Sequence, residues 1–341
     1  MVTGLVMQFG IFDQLPRGDG QNSSNRYREF IEQCTVADKV GFDSVWMAEY
    51  HFNPRFSVMP SPLLVGSAVA QCTSNIRIGT AVNLLPLHNP VRLAEEVATL
   101  DIISGGRVLF GVGRGSNPEH YSGLSVEVDE ARSRFLEGLQ LVKAAWADAN
   151  VSHKGQHYDI QNLAVEPKPI QRPHPPIYIA ANSVDTFPMV GELGHNILVT
   201  PLIIGTQGVV ENLSVYRNSL AESGHSIENV KIIPTLAACV SENRNKAKNL
   251  LGATIDNYLN VLKSGQSRRS SRALELTSES ILNDYAIVGD PKECIDRIEE
   301  LRESMGCQGV LFWQNIGGLI PHEDLKRSME LFSDKVLPHF R

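Results

Sequence analysis

Short apolar runs alternate along the chain with longer segments in which apolar residues recur every three or four positions. The short runs are rich in β-branched residues and predict buried strands, whereas the longer segments predict amphipathic helices. Two helix starts are marked clearly, at Asn89-Pro90 and Asp290-Pro291, because a capping side chain precedes a proline at the first helical position. The pattern predicts eight strands, each followed by a helix, at residues 5–12, 43–48, 76–85, 107–112, 177–181, 196–200, 230–240 and 309–313.

Eight β-then-α units in 341 residues are typical of a (β/α)8 barrel, the TIM barrel, with insertions. The alternative is a doubly wound sheet in two domains. No linker rich in Pro, Ser and Gly divides the chain, however, and we therefore predict one domain over residues 1–341. A hairpin is predicted at residues 153–168, before the fifth strand, where polar and apolar residues alternate around Gly155.

A polar segment at residues 263–284 interrupts the connection between the seventh and eighth strands. It contains KSGQSRRSSR, whose composition is that of a disordered surface loop. Because a loop that follows a barrel strand lies on the catalytic face, the segment is also placed to act as a mobile lid over the site.

Composition and charge argue against several functions. The chain has 31 basic and 38 acidic residues and a net charge of −7, which argues against nucleic acid as a partner. No apolar run reaches the roughly 20 residues that a membrane span needs. The first ten residues carry no basic residue, so no signal peptide is expected. The five cysteines are widely spaced and form no CxxC pair, which predicts reduced thiols in a cytoplasmic protein.

Two stretches at neighbouring strand ends are candidates for binding an anion. The run GVGRGS, residues 111–116, places glycines at alternating positions, where the backbone can approach a ligand, and Arg114 adds a planar cation suited to phosphate. Asn182 and Ser183 stand where the helix after the fifth strand is predicted to begin, with exposed amides. Because the fourth and fifth strand ends are neighbours in a barrel, we predict that Arg114 and this helix start share one phosphate.

The end of the predicted second strand carries WMAEYHF, residues 46–52, which groups Glu49, Tyr50 and His51 at the catalytic end of the barrel. These residue types are candidates for proton transfer. A metal site is the other interpretation, but metal-dependent hydrolase barrels favour two histidines that flank one residue, and Tyr50 occupies that slot. No metal is therefore predicted.

Taken together, these features resemble the bacterial luciferase-like family of flavin-dependent monooxygenases. The resemblance covers nearly the whole chain, and its anchors lie on consecutive barrel units: GFDSVWMAEYHF (41–52), IGTAVNLLP (78–86), NPVRLAEEVATLD (89–101), SGGRVLFGVGRG (104–115) and PPIYIAANS (175–183). It implies a TIM-barrel enzyme that uses O2 and reduced FMN, supplied by a separate NAD(P)H:flavin reductase. Such an enzyme forms a flavin 4a-hydroperoxide and oxygenates a small organic substrate. Arg114 favours this FMN-using branch over the deazaflavin-using reductases.

The resemblance also implies site residues. Those implied to be catalytic are Glu49, Tyr50 and His51. The cofactor-binding residues that it implies lie at three strand ends: Ala81, Val82 and Asn83 after the third strand, Arg114, Gly115 and Ser116 after the fourth, and Asn182, Ser183 and Thr186 after the fifth. In the family, the pair matched by Ala81-Val82 forms a non-proline cis peptide beneath the isoalloxazine ring, and the other two groups hold the flavin phosphate.

Three positions depart from the luciferases themselves. Tyr50 stands where they have the catalytic-base histidine; a tyrosine is a poor base at neutral pH, but its hydroxyl can donate a hydrogen bond. Gly113 replaces their reactive cysteine, so light emission from an aldehyde is not expected, and Asn182 stands where the luciferases have a glutamate in the phosphate site. His51 and Glu95 match residues that pair across the family's subunit interface, which predicts a homodimer with a His51–Glu95 contact between protomers.

Two other functions remain open from the sequence. One is an FMN- or deazaflavin-dependent reductase on the same fold, which would transfer hydride without oxygen. The other is a non-catalytic flavin-binding protein or the inactive subunit of a heterodimer. The presence of Glu49, Arg114 and the lid segment argues for catalysis.

Overall fold

The computed structural model describes residues 6–18, 20–264 and 275–341. Its central feature is a closed barrel of eight parallel strands, as predicted. The strands follow one another around the barrel in chain order, and the last pairs with the first, so that Gly309 lies beside Gln8. They are β1 (Gln8–Asp13), β2 (Ser44–Met47), β3 (Arg77–Thr80), β5 (Val108–Gly113), β8 (Ile177–Ala180), β9 (Asn196–Val199), β10 (Ile232–Val240) and β12 (Gly309–Trp313). Beside them lie β4 (Asn83–Leu84), the hairpin strands β6 (Val151–Lys154) and β7 (Asp159–Leu163), and β11 (Ala286–Gly289).

Helices cover the outside of this barrel. The helices of the described residues are α1 (Ser23–Val40), α2 (Pro62–Cys72), α3 (Pro90–Ile103), α4 (Pro118–Gly123), α5 (Ala131–Ala147), α6 (Thr186–Glu192), α7 (Pro201–Ile204), α8 (Thr206–Glu222), α9 (Arg244–Ser264), α10 (Ser278–Asp284), α11 (Pro291–Met305) and α12 (His322–Lys335). Both marked starts are confirmed. Asn89 accepts hydrogen bonds from the first amides of α3, and Asp290 forms a capping box with Glu293 on α11.

Alternate residues of each barrel strand face the interior and the surrounding helices. In β12, Val310 and Phe312 pack in the outer core, whereas Leu311 and Trp313 belong to the inner apolar cluster. Trp46 also belongs to the inner cluster, and it fits because Gly79 has no side chain: a Cβ there would come within 2.4 Å of the Trp46 ring. The period of two therefore separates an inner from an outer core on every strand.

The predicted insertions are present with shifted limits. The hairpin occupies residues 151–163 rather than 153–168, and β11 is a short additional strand beside β10 that the sequence interpretation missed. Residues 265–274 of the predicted lid lie outside the described residues; the end of that segment forms α10. The helix after β8 begins at Thr186 and not at Ser183, and the side chains of Ser183 and Asp185, which precede it, contact Arg114.

Composition predicted reduced cysteines and no membrane-spanning segment. All five cysteines are free, and four are buried. Burial raises the pKa of the Cys239 thiol to about 11, so it is protonated at neutral pH. No helix within the described ranges combines the length and apolar character needed to cross a membrane.

Candidate active site

All eight barrel strands run in one direction, so their carboxyl ends meet at the same mouth of the barrel. The segments that follow β2, β3, β5 and β8 supply polar side chains there. Two groups of contacts result, one around the carboxylate of Glu49 and one around the guanidinium of Arg114.

The Glu49 carboxylate is buried just beyond β2 and is held by three donors. Its Oε1 lies 2.9 Å from Nε2 of His51, its Oε2 lies 2.8 Å from Nε2 of His88, and the Leu84 amide donates to Oε2 at 2.8 Å. Burial by itself would raise the pKa of Glu49, but the hydrogen bonds from the two histidines, the charge of His88 and the Leu84 amide lower it to about 2. Glu49 is therefore an anion at neutral pH and a poor proton acceptor.

His88 is the member of this group that the sequence interpretation missed. It follows the 3-10 turn Leu85–Leu87 and directly precedes Asn89, the cap of α3. Burial would lower the pKa of His88, but the hydrogen bond and charge of Glu49 raise it. The available signal was its position, since it lies in the loop that leaves the carboxyl end of the third barrel strand.

The segment after β3 is tied to the end of β2. The peptide bond between Ala81 and Val82 is cis, in agreement with what the resemblance implies. The Ala81 amide donates to the Met47 carbonyl at 2.8 Å, and the Val82 carbonyl accepts from the Glu49 amide at 3.3 Å. Both Ala81 and Val82 are partly exposed and pack against the inner apolar cluster, so they form an apolar surface at the mouth.

Asn83, in contrast, turns its side chain into the protein. It is buried, and its Nδ2 donates to Oγ1 of Thr80 at 3.0 Å. A Cβ at Gly111 would stand 1.7 Å from the Thr80 carbonyl oxygen, and one at Gly113 would stand 2.7 Å from a methyl group of Val82. These two glycines are needed for packing against the end of β3, a requirement that the sequence interpretation did not foresee.

The Arg114 guanidinium joins the ends of β5 and β8, as predicted. Its Nη2 donates to Thr186 Oγ1 at 2.8 Å, to Asp185 Oδ2 at 3.0 Å and to Ser183 Oγ at 3.2 Å. Nη1 of Arg132, at the start of α5, lies 2.8 Å from the same Asp185 oxygen. The pKa of Asp185 is lowered by the Ser183 hydrogen bond and by the charges of both arginines. We call Arg114, Arg132, Ser183 and Thr186 the cradle.

None of the other residues assigned to the phosphate site is a hydrogen-bond partner of the Arg114 side chain within the described residues. Gly115 has a φ of 74°, a backbone conformation that favours glycine, and Ser116 is exposed in the loop beyond it. Asn182 accepts a hydrogen bond from the Thr200 amide at 3.1 Å, which turns it toward the end of β9. The sequence interpretation missed Arg132 and Asp185, because only the packing of α5 brings Arg132 to this place.

Tyr50 is buried at the same mouth. Its hydroxyl oxygen accepts from Nδ2 of Asn117 at 3.2 Å, and its ring centroid lies 4.4 Å from those of Phe56 and His120. The His51 amide donates to Nε2 of His120 at 3.4 Å. Asn117 and His120 were not recognised from the sequence, although Asn117-Pro118 repeats the start signal seen at Asn89-Pro90.

Glu95, predicted to meet His51 of a second protomer, lies on the outer helix α3. Within the chain it pairs with Arg92 at 3.7 Å, while His51 is bonded to Glu49. The contact between protomers stays a prediction.

Fold and site first define a class of protein: a TIM-barrel enzyme with a buried carboxylate and a cationic cradle at the catalytic mouth. The family model of luciferase-like monooxygenases matches residues 7–308. The chain belongs to the luciferase-like monooxygenase family, and it is an oxidoreductase.

Known proteins extend this comparison. The chain is 29% identical over 350 residues to the oxygenase component of a flavin-dependent trigonelline monooxygenase from Acinetobacter baylyi, covering 98% of this chain and 96% of that protein. A monooxygenase of known structure from Streptomyces bottropensis is 28% identical, with a TM-score of 0.87 over 98% of this chain and 100% of that one. A coenzyme F420-dependent tetrahydromethanopterin reductase from Methanopyrus kandleri shares the fold at 21% identity, with a TM-score of 0.76 over 98% of this chain and 100% of that one.

Proposed function

We propose that this protein is the oxygenase component of a two-component monooxygenase. It takes reduced FMN from a separate NAD(P)H:flavin reductase and uses O2 to oxygenate a small organic substrate. The relative from Acinetobacter baylyi, named an oxygenase component, supports the separate reductase.

The observation that carries the proposal is the cradle. A guanidinium flanked by the hydroxyls of Ser183 and Thr186 suits a phosphate monoester, because all three groups can donate to the oxygens of one anion. In the structure, Asp185 supplies the negative charge between the two arginines. A phosphate would take the place of that carboxylate and carry more charge, so the donor set fits the phosphate end of FMN.

The rest of the mouth fits the ring system. The partly exposed surface of Ala81 and Val82 is apolar and suits a planar heterocycle. Reduced FMN supplies the electrons that activate O2, while the surrounding apolar residues exclude water. Asn117 donates to the Tyr50 oxygen, and the described residues offer the Tyr50 hydroxyl no acceptor, so its proton can be donated to a ligand. Glu49, held by both histidines, keeps the ends of β2 and β3 together.

The test uses labelled O2 to determine whether an oxygen atom of O2 enters the product. The protein is given reduced FMN and ¹⁸O2 with a panel of aldehydes, sulfonates, amines and aromatic compounds, and products are analysed by mass spectrometry. One labelled atom per product molecule is expected, with dependence on FMN. Reduction of a substrate without O2, with reduced coenzyme F420 preferred over FMN, would show a hydride-transfer enzyme instead. Turnover only after addition of a second, paralogous chain would show an inactive subunit.

We also propose a homodimer in which Glu95 of one protomer pairs with His51 of the other. Sedimentation measurements are expected to give twice the chain mass for the wild type and a weaker dimer for Glu95→Arg. The adjacent, partly exposed Glu96 offers the control, since Glu96→Arg should leave the dimer intact. A monomeric wild type would contradict the assembly but not the oxygenase.

A further inference from the structure

We infer that Trp313 is a hydrogen-bond donor to the substrate, and that the substrate is a neutral aromatic compound with an acceptor such as a carbonyl oxygen. The inference rests on the proposed function, because it concerns what enters the barrel mouth beside the flavin. It starts from the three tryptophans of the chain.

Two of the tryptophans have acceptors for their indole N–H. Nε1 of Trp46 donates to Ser44 Oγ at 2.8 Å inside the barrel, and Nε1 of Trp146 donates to the Ala94 carbonyl at 3.0 Å outside it. Nε1 of Trp313 is buried and has no acceptor within the described chain. Since buried donors in native proteins are almost always paired, this N–H calls for a partner beyond the described residues, and we assign that role to the substrate.

The position of Trp313 indicates what that partner is. Trp313 is the last residue of β12 and 5% exposed, and it belongs to the inner cluster rather than to the outer core. Its N–H therefore lies inside the barrel at the carboxyl ends of the strands, where TIM-barrel enzymes bind their substrates.

The neighbours of Trp313 favour an aromatic compound. Its ring centroid lies 5.5 Å from that of Phe12 and 5.3 Å from that of Tyr258 on α9. Tyr258 in turn lies 5.7 Å from Phe56, and Phe56 lies 4.4 Å from Tyr50. These five rings form a continuous aromatic wall, and aromatic groups pack well against such edges and faces.

Charge at this end of the barrel favours a neutral compound. Two carboxylates are buried here, Asp13 at the end of β1 and Glu49 just beyond the end of β2, and both have partners. Asp13 pairs with Arg26 at 3.5 Å, and Glu49 is held by its two histidines. Neither is left to balance a cationic substrate. A donor in an aromatic wall instead recognises a polar acceptor on an otherwise apolar molecule.

The test compares two ligands that differ only in the acceptor. Equilibrium dialysis of the FMN-loaded protein measures the affinity of 2-acetylnaphthalene and of 2-isopropenylnaphthalene, in which a methylene group replaces the carbonyl oxygen. After correction for their partition between water and octanol, the wild type should prefer the ketone by about three- to tenfold, the range expected of one neutral hydrogen bond.

Trp313→Phe keeps an aromatic ring and removes the N–H, so the preference for the ketone should disappear. Trp146→Phe makes the same change at a tryptophan outside the barrel and should keep the preference. A wild type without preference, or an equal loss in both variants, would overturn the inference. If Trp313→Phe does not fold, the indole N–H signals of the ¹⁵N-labelled wild type decide: the ketone should shift one of the three strongly, and the alkene should not.

The two proposals fail separately. A wild type that incorporates ¹⁸O but shows no preference for the ketone overturns the role of Trp313 alone. A retained preference without any oxygenation supports Trp313 as a ligand donor and overturns the oxygenase proposal.

Discussion

Replacement of Arg114 by alanine tests the cradle directly. Its Nη2 alone contacts oxygens of Ser183, Asp185 and Thr186, so the substitution separates the two strand ends as well as removing the charge. A hydrogen bond to a charged group contributes about 1.5–3 kcal/mol. The Arg114 side chain is 24% exposed, which weakens the interaction through solvent screening. We therefore expect a loss of binding free energy at the lower end of this range, about 1.5–2 kcal/mol, which is roughly a 10- to 30-fold increase in the Kd for FMN.

The assay is an anaerobic titration of the protein with FMN, monitored by flavin fluorescence. Riboflavin is the control ligand because it lacks the phosphate. Arg114→Ala should leave the Kd for riboflavin nearly unchanged, and the loss for FMN should shrink at high salt. Arg28→Ala, which removes an exposed arginine on α1, is the control protein and should bind both flavins normally. An equal loss of FMN and riboflavin affinity in Arg114→Ala would refute the phosphate assignment.

Three further predictions concern neighbouring residues. Asp185→Asn removes the carboxylate that competes with the phosphate, so FMN should bind about two- to fivefold more tightly in the same titration. Glu49→Gln should lower the free energy of unfolding by about 3 kcal/mol at neutral pH, from a pKa shift between 4.5 and about 2. Because the pKa of Glu49 is lower in the folded than in the unfolded state, this contribution is present above pH 4.5 and is lost as the pH falls toward 2. Denaturant titrations would contradict the prediction if wild type and variant differed in the free energy of unfolding by the same amount at every pH. Gly111→Ala should destabilise the protein by at least about 3 kcal/mol, since the new Cβ would lie 1.7 Å from a carbonyl oxygen. Gly208→Ala, in a helix with its nearest neighbour atom at 3.8 Å, should be neutral or stabilising by thermal melting.

The order and type of most elements could be read from the sequence. Strand interiors with a period of two and helices with a period near 3.6 are local properties, and the signals at Asn89-Pro90 and Asp290-Pro291 are local too. Since a parallel barrel brings all carboxyl ends of its strands to one mouth, the pattern also indicated that Glu49 and Arg114 would lie there. Two short elements escaped, the seven-residue α10 and the four-residue β11, because they lie within or directly after the polar segment that the sequence predicted as a loop.

The partners of those residues could not be read in the same way. His88 reaches Glu49 only through the turn after β3, and Arg132 reaches Asp185 only through the packing of α5. The glycine-rich run shows the same limit, because Gly111 is required by an oxygen of Thr80, 31 residues earlier in the chain.

The sequence by itself therefore determined the barrel, the mouth and the residue types that face it. The tertiary structure alone decided which of these side chains are already satisfied and which, like the Trp313 N–H, have no partner among the described residues. The physical reason is that hydrophobic periodicity is set by neighbours along the chain, whereas hydrogen-bond satisfaction depends on atoms brought together by barrel closure.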